Sequence, residues 1–351
     1  MLIINDFFTR RKEAVSNQME LILKSSENNS KIITATRFMN QKSMQDDELK
    51  DNIFVYHPAI YPFAVIKNLI STKEMIHLFQ EEPSLFKKIL LNLTKRPLYI
   101  SLYRRPTIDE CKHLKKYKYL KGIFVELQQH KEILINNGFD KSTIFITPTP
   151  SKFSRESNNK KYIPSEINIL FASWNMAEGK PLYDRGLVYL LELLKNNLNL
   201  SLSVVLRDNN TLQFEEMINE YGLNNRVKLL DVFDDLELEQ IFKDADYVSF
   251  PAQKRIVKDV PNSLIDGLCK GKPVIISNVL DFSNVVEKNK IGFVVHENNG
   301  NLNLNLNEEE YKKLSENAFN YSKIHTNNNY VNKIKYGYKS TKFNIEKEVI
   351  K

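Results

Sequence analysis

Cysteine is scarce in this sequence, which excludes two common ways of stabilising or equipping a fold. Cys111 and Cys269 are the only cysteines in 351 residues. Because they lie far apart, no disulfide framework is predicted, and the chain is expected in a reducing compartment, the cytoplasm. No cysteine pair has the spacing of zinc ligands and the six histidines are dispersed, so no metal site is predicted.

Long apolar runs are also lacking. None approaches the roughly 20 residues that a membrane-spanning helix needs. The first residues, MLIINDFFTRRKEAV, have no basic segment followed by a small-residue cleavage site, so a signal peptide is not expected. What remains is the composition of a globular protein, with 42% apolar and 26% charged residues, over a length that predicts two domains.

The net charge is +7, and part of it is concentrated in one lysine-rich stretch. Elsewhere lysine is spread along the chain, so nucleic acid is not predicted as a partner. The stretch suits two interpretations. It could contact phosphate groups, either of anionic lipids at the inner leaflet or of a phosphate-bearing acceptor, or it could be a solvated helix face. Its members are Lys112, Lys115, Lys116, Lys118 and Lys121, with Tyr117 and Tyr119 between them.

A polar stretch divides the chain. From about residue 145 to residue 163 the apolar pattern gives way to prolines, serines, asparagines and charges, which is typical of a connection between domains. We therefore predict a first domain over residues 1–150, a linker over 151–163 and a second domain over 164–320. Residues 321–351 are expected to be helical and to return to the first domain.

Strands and helices alternate in the second domain. Strands are predicted at 167–173, 202–206, 227–230, 247–250, 272–277 and 293–295, and helices at 187–194, 212–221, 236–242 and from 262. This alternation implies right-handed crossovers and a doubly wound parallel α/β sheet.

The first domain repeats this pattern less clearly. Its strands are predicted at 31–36, 53–56, 75–79, 98–102, 123–127 and 143–146, and Gly138 suits the end of a helix that contains residues 132–136. NLNLNLN, at 301–307, alternates like a strand but is interpreted as a surface loop or edge strand before a helix from about residue 308.

The segment from residue 247 to residue 277 carries the strongest chemical signal. It consists of a strand, a loop, a helix entrance with Pro261, Asn262 and Ser263, and a turn at Gly271 into the next strand. A helix N-terminus offers unpaired N–H groups and about half a positive charge, so it attracts a diphosphate. Asp266, one turn into that helix, is placed to accept a hydrogen bond from a ribose hydroxyl.

This segment resembles the retaining glycosyltransferases of family 4, which have the GT-B fold of two Rossmann-like domains with a cleft between them and a C-terminal helix that crosses back. The family's signature is two glutamates separated by seven residues, a small-residue helix and a Gly-x-Pro-Val turn. SFP, VPNSLIDGL and GKPVI match it here. Asp266 stands at the second acid, which contacts the donor ribose. Lys258 replaces the first acid, which contacts the donor sugar, with Asp259 beside it.

A second match lies upstream, in ILFASWNMAEGKPLYDRGLVYLLELLK at 169–195. Arg185 and Gly186 occupy the place of the family's Lys-Gly before an apolar helix, so the resemblance implies that Arg185 neutralises the donor diphosphate. Ser173 and Trp174 replace the usual Gly-Arg. In the first domain the family often carries a catalytic histidine; ISLYRRPT offers Arg104 and Arg105 instead, and His57 is the nearest candidate by chemistry.

The resemblance implies transfer of a sugar from a nucleotide-diphosphate sugar, such as a UDP- or GDP-sugar, to a glycan, glycolipid or glycoprotein acceptor, with retention of configuration. It implies no cofactor and no metal, a donor site in the second domain and an acceptor site in the first. The catalytic candidates are Arg185, Asp266 and His57. The donor-binding candidates are Ser173, Trp174, Arg185, Lys258, Asp259, Pro261, Asn262, Ser263, Leu264 and Asp266.

Other interpretations stay open. Arg185 also suits the role of a surface cation, Lys258 that of a solvated loop residue and Asp266 that of a solvent-facing helix residue. His57 suits a structural role, and Trp174 suits a packing role. For the whole protein, the loss of the first acid and of the Gly-Arg favours a non-catalytic GT-B-like subunit that binds a glycan or a protein. A nucleotide-sugar epimerase of the same fold is a third alternative.

Overall fold

The structure is a computed structural model that describes residues 1–5, 14–26, 30–35, 50–57, 59–72, 74–79, 85–158, 160–173, 184–206, 212–232, 234–255, 258–296 and 302–349. The chain divides into two compact units. Unit 1 contains Met1–Pro150 and Asn327–Lys351, and unit 2 contains Ser151–Thr326.

Unit 1 is built on a seven-stranded sheet in the order β3-β2-β1-β4-β5-β6-β7, and every neighbouring pair is parallel. Its central strands are buried on both faces, which is why they read as continuous apolar runs. The strands are β1 (Leu2–Asn5), β2 (Lys31–Ala35), β3 (Ile53–Tyr56), β4 (Ile76–Phe79), β5 (Leu98–Leu102), β6 (Leu120–Val125) and β7 (Ile144–Ile146).

The helices of unit 1 connect these strands, and the last one returns from the end of the chain. Thr107 and Glu110 form a capping box at the start of α4, and Gly138, with φ +79°, follows the end of α5. The helices are α1 (Ala14–Ser25), α2 (Tyr61–Ser71), α3 (Leu85–Thr94), α4 (Ile108–Leu114), α5 (Gln128–Asn136) and α12 (Asn327–Val349).

Apolar side chains form a separate core on each face of this sheet. One core carries a polar pair at its centre: the His77 ring lies 2.5 Å from the Tyr338 hydroxyl through Nδ1 and 2.9 Å from Ser101 Oγ through Nε2. The Tyr99 hydroxyl, 2.6 Å from Thr341 Oγ1, adds a second link between the sheet and α12. The C-terminal helix is thus part of the core of unit 1.

Unit 2 has a six-stranded parallel sheet in the order β10-β9-β8-β11-β12-β13. Its strands are β8 (Ile167–Ser173), β9 (Leu200–Leu206), β10 (Val227–Asp231), β11 (Tyr247–Phe250), β12 (Val274–Ser277) and β13 (Gly292–Val295). Its helices are α6 (Leu187–Asn196), α7 (Leu212–Glu220), α8 (Asp235–Asp244), α9 (Asn262–Cys269), α10 (Phe282–Asn289) and α11 (Glu308–Tyr321).

The polar stretch at the beginning of unit 2 packs on that unit. The Glu156 N–H donates to the Cys269 carbonyl at 2.9 Å, and the Tyr162 hydroxyl donates to the Leu304 carbonyl at 2.7 Å. Arg155 bonds the Ser322 hydroxyl and lies over the Phe319 ring. Polar contacts therefore hold this stretch to unit 2, which explains why it lacks an apolar period. Its described residues form no strand or helix.

The predicted fold class is confirmed, since both units have parallel sheets with connecting helices. The predicted strands all occur, with ends that differ by up to three residues. β1 was not predicted, because a strand of only four residues cannot be told from other short segments by its pattern. Residues 302–307 form no strand, and Asn307 caps α11. Among the described helices, none has the length and apolar character needed to cross a bilayer.

His77 makes the stability of unit 1 depend on pH. Burial lowers the pKa of His77 to about 3, so the folded state keeps the ring neutral, whereas the unfolded chain protonates it near pH 6.5. The contribution of this residue is therefore fully present above pH 6.5 and is lost as the pH falls towards 3.

We expect hydrogen exchange of the β4 and β5 amides, corrected for intrinsic rates, to report about 2 kcal/mol less stability at pH 5 than at pH 7 from this residue. His77→Gln is expected to be less stable at pH 7 and to have a correspondingly shallower dependence on pH. Equal pH dependence in the two proteins would contradict the assignment.

Candidate functional site

The candidate site lies where the strand order of unit 2 reverses. β8 pairs in parallel with β11, with Ile169 opposite Tyr247 and Leu170 opposite Val248. From β8 the chain winds outward through β9 and β10, and from β11 it winds the other way through β12 and β13. The crevice beyond the carboxyl ends of two such strands is where doubly wound sheets bind ligands.

The segment that enters α6 lies against the loop that follows β11. The Gln253 N–H donates to the Asp184 carbonyl at 2.9 Å, and Lys254 Nζ lies 3.0 Å from the Asp184 carboxylate. Gly186, with φ +88°, lies so close to Pro251 that a Cβ atom would overlap the Pro251 carbonyl. These contacts place the half-buried Arg185 beside the loop that leads to α9.

The entrance of α9 offers backbone N–H groups at the same edge of the sheet. Pro261 is its N-cap residue, and no side chain caps the helix. The Leu264 N–H bonds the Pro261 carbonyl at 3.2 Å, which leaves Asn262 and Ser263 as the residues whose amides open the helix. Both are half-buried, whereas Leu264 is fully buried. The helix opening is therefore suited to bind an anion.

Lys258 lies at this helix opening. Its Nζ donates to Asn262 Oδ1 at 2.8 Å, and the side chain is half-buried. The ammonium group thus adds a positive charge to the opening, at the position where the resemblance expects a carboxylate. Electrostatically the site is better suited to phosphate oxygens than to a neutral sugar hydroxyl that needs an acceptor.

Asp259 is held inside the unit by an arginine that the sequence analysis did not identify. Arg255 Nη1 lies 2.9 Å from the fully buried Asp259 carboxylate, and its Nη2 lies 3.1 Å from Asp281. Burial alone would lower the pKa of Arg255, but the bonds to Asp281 and Asp259 outweigh it and raise that pKa. The four-residue spacing of Arg255 and Asp259 is the sequence feature that could have predicted this ion pair. Asp259 therefore shapes the loop before α9.

Asp266 is buried and fixes the beginning of unit 2. Its Oδ1 accepts from Ser151 Oγ at 2.7 Å and from the Lys152 N–H at 3.0 Å. Ser151 in turn donates its N–H to the His325 carbonyl at 2.9 Å, near the end of the unit. The structure thus gives Asp266 a structural role, and its contact with a donor ribose stays a prediction.

The other predicted site residues lie in unit 1, or their side chains lie outside the described part of the structure. His57 is in unit 1 and exposed; its carbonyl accepts from the Ile60 and Tyr61 N–H groups at 2.9 Å, which suits a structural role at the start of α2. Ser173 ends β8, its side chain lies outside the description, and Trp174 lies outside the described residues. Arg104 pairs with Glu110 at 2.7 Å.

Residues 180–321 match the family model described as glycosyl transferases group 1. The matched range contains both segments that build the candidate site. It confirms the resemblance to the group 1 glycosyltransferases that the sequence motifs indicated. No protein with a curated description matches the sequence significantly.

Solved structures of similar fold extend the likeness to both units. HepE of Anabaena, in complex with UDP and glucose, is 12% identical with a TM-score of 0.71 over 97% of this chain and 99% of its own. A glycosyltransferase from Rickettsia africae is 17% identical, with a TM-score of 0.67 over 97% of each chain. Sucrose-phosphate synthase of Thermosynechococcus elongatus is 13% identical, with a TM-score of 0.66 over 96% of this chain and 98% of its own. The fold is that of the GT-B glycosyltransferases.

Gly186 and Gly222 form a matched pair for testing this geometry. Both have positive φ, but only Gly186 meets neighbouring backbone, while nothing lies within 4 Å of a Cβ on Gly222. We expect Gly222→Ala to cost about 1 kcal/mol for its backbone conformation, and Gly186→Ala about 3 kcal/mol because Pro251 must also move. Urea unfolding followed by circular dichroism measures both. Equal losses would contradict the close approach at Pro251.

Proposed function

We propose that the protein is a retaining glycosyltransferase that moves a sugar from a nucleotide-diphosphate sugar to a glycan, glycolipid or glycoprotein acceptor. The observation that carries the proposal is the packing of residues 184–186 against residues 251–254. It places Arg185 and the opening of α9 at one edge of one sheet. The family match over 180–321 supports the reaction class.

The proposed chemistry is the stabilisation of a leaving diphosphate. The bond between the sugar's anomeric carbon and the diphosphate oxygen breaks, and the acceptor hydroxyl forms a bond to the same carbon on the same face and loses its proton. Negative charge develops on the diphosphate as its bond breaks. The Arg185 guanidinium and the Asn262 and Ser263 amides supply fixed positive charge there, which lowers the barrier because it needs no reorganisation.

For the donor we propose a UDP-sugar, since HepE of the same fold binds UDP and glucose; a GDP-sugar is the alternative. In this proposal the donor occupies unit 2 and the acceptor occupies unit 1. We further propose that the acceptor belongs to surface polysaccharide biosynthesis and that the enzyme is cytoplasmic, associating peripherally with the inner leaflet when its acceptor is lipid-linked.

Two observations favour a second candidate function, a GT-B-like subunit that binds a glycan or protein without catalysis. Lys258 stands where the first acid of the family signature is expected, and its ammonium group bonds Asn262. Asp266, at the second acid, accepts two hydrogen bonds from residues 151–152. Lys258 affects recognition of the donor's sugar and the contacts of Asp266 affect recognition of its ribose, whereas Arg185 keeps a cation before α6.

Nucleotide affinity tests the role of Arg185. We expect Arg185→Ala to weaken binding of UDP about 10- to 100-fold, because a charge-assisted contact to the diphosphate is lost. Lys195→Ala is the matched control, because Lys195 is an exposed cation at the other end of the same helix, α6. Isothermal titration calorimetry with UDP measures both variants. Equal affinity in wild type and Arg185→Ala would contradict the proposed diphosphate site.

Turnover separates the two candidate functions. A transferase releases UDP from UDP-sugars when an acceptor is present, and proton NMR of the product gives the anomeric configuration. A binding subunit releases none, and an epimerase interconverts UDP-sugars without an acceptor. An inverted product would contradict the retaining assignment while leaving the transferase class in place.

A further inference from the structure

Two neighbouring helices of unit 1 expose large apolar side chains. Ile60, directly before α2, is 57% exposed, and Phe63 and Ile70 on α2 are 70% and 76% exposed. On α3, Ile89 is 51% exposed and Leu93 is 70% exposed. α2 and α3 contact each other. Their apolar side chains therefore belong to one region of the surface of unit 1.

The spacing of these residues makes each helix apolar on two sides. Phe63 and Ile70 are seven residues apart and Ile89 and Leu93 four apart, so each pair lies on one helix face. Other positions of the same helices, including Val65, Leu69 and Leu91, are buried in the core. Core packing thus explains one side of each helix and leaves the exposed side without a structural reason.

The lysine-rich stretch identified in the sequence lies beside this region. Asn92 of α3 donates through Nδ2 to the Lys116 carbonyl at 3.0 Å, and its Oδ1 accepts the Lys118 N–H at 3.0 Å. This clamp joins the loop after α4 to α3 one residue away from Leu93. Lys115, Lys116 and Lys118 are all exposed. The exposed lysines therefore lie on a loop that is hydrogen-bonded to the helix that carries Ile89 and Leu93.

The charge of these elements has one sign. The sequences of α2 and α3, YPFAVIKNLIS and LFKKILLNLT, contain three lysines and no acidic residue. Residues 115–121, KKYKYLK, add four lysines and again no acidic residue. Close by, Asp109 pairs with Lys112 at 3.1 Å, and Glu74 pairs with the N-terminal ammonium group. Glu81 and Glu82, before α3, lie outside the described residues.

We propose that this surface, formed by Ile60, Phe63, Ile70, Ile89 and Leu93 with Lys115, Lys116 and Lys118, docks on an anionic lipid bilayer. The apolar side chains enter the boundary between head groups and acyl chains, and the lysines bind lipid phosphates. The positive charge of this surface complements the negative charge of an anionic leaflet, and for this reason we propose a bilayer as its partner. The proposal deepens the peripheral association within the proposed function, but lipid binding itself requires no glycosyl transfer.

Unit 2 provides a contrast and the control. Leu198 and Leu236 are 85% and 77% exposed, yet Leu236 stands between Asp235 and Glu237. Scattered exposed leucines are ordinary on protein surfaces. Neither has the combination of neighbouring apolar residues and exposed lysines that the surface of unit 1 has.

Vesicle cosedimentation of the full chain tests the proposal. Vesicles of phosphatidylglycerol and phosphatidylcholine are expected to bind wild type, and vesicles of phosphatidylcholine alone to bind it at least tenfold more weakly, with an affinity that falls as salt rises. Phe63→Asp, Leu93→Asp and the double variant Lys116→Glu/Lys118→Glu are each expected to lose at least tenfold in affinity. Leu198→Asp, the matched control, is expected to stay within twofold of wild type.

Circular dichroism and calorimetry with UDP verify that each variant is folded and that unit 2 is unaffected. Absence of wild-type binding to anionic vesicles, or an equal loss in Leu198→Asp, would overturn the docking surface. So would dimerisation in light scattering that Phe63→Asp abolishes without any vesicle binding, because a second copy would then be the occupant. Vesicle binding without UDP binding would contradict the transferase proposal and would still support the docking surface.

Discussion

Gly186 and Pro251 approach each other backbone to backbone, and the arrangement of the candidate site depends on that contact. A side chain at residue 186 would overlap the Pro251 carbonyl, and the φ of +88° is one that glycine adopts without strain. The approach brings the segment after β8 onto the loop after β11, at the point where the strand order reverses. Parallel pairing of β8 and β11 puts Arg185 and the amides that open α9 at the same edge of the sheet, and the contact of the two segments brings Arg185 beside the loop that leads to α9.

Buried charge determines the shape of the surrounding loops. Arg255 bridges Asp259 and Asp281, so the loop before α9 is fixed by an ion-paired arginine. Asp266 accepts hydrogen bonds from residues 151–152 and thereby fastens the start of unit 2 to α9. Breaking such a buried pair on one side leaves an uncompensated charge, which is costly. The carboxylates of this region thus serve the architecture, and the Lys258 ammonium group lies at the helix opening.

Local sequence patterns were sufficient for most of the fold. The apolar runs of β8 and β11 and the amphipathic pattern of α6 were recognisable because both faces of a parallel sheet are covered and one face of each helix is buried. β1 was not predicted, since three apolar residues and an asparagine do not distinguish a strand from other short segments. The polar composition of residues 151–163 indicated a connection between domains, whereas several of their contacts are with residues more than a hundred positions away.

The sequence by itself determined the two parallel sheets, the glycosyl transferases group 1 motifs and the position of Arg185 before an apolar helix, because these depend on spacing between near neighbours. Only the tertiary structure decided that Asp266 bonds Ser151, that Arg255 supports Asp259, and that Lys116 and Lys118 bond Asn92 of α3. Each of these contacts, except the pair Arg255 and Asp259, connects residues distant in sequence. Such pairings arise from the order of strands in a sheet, which no local pattern encodes.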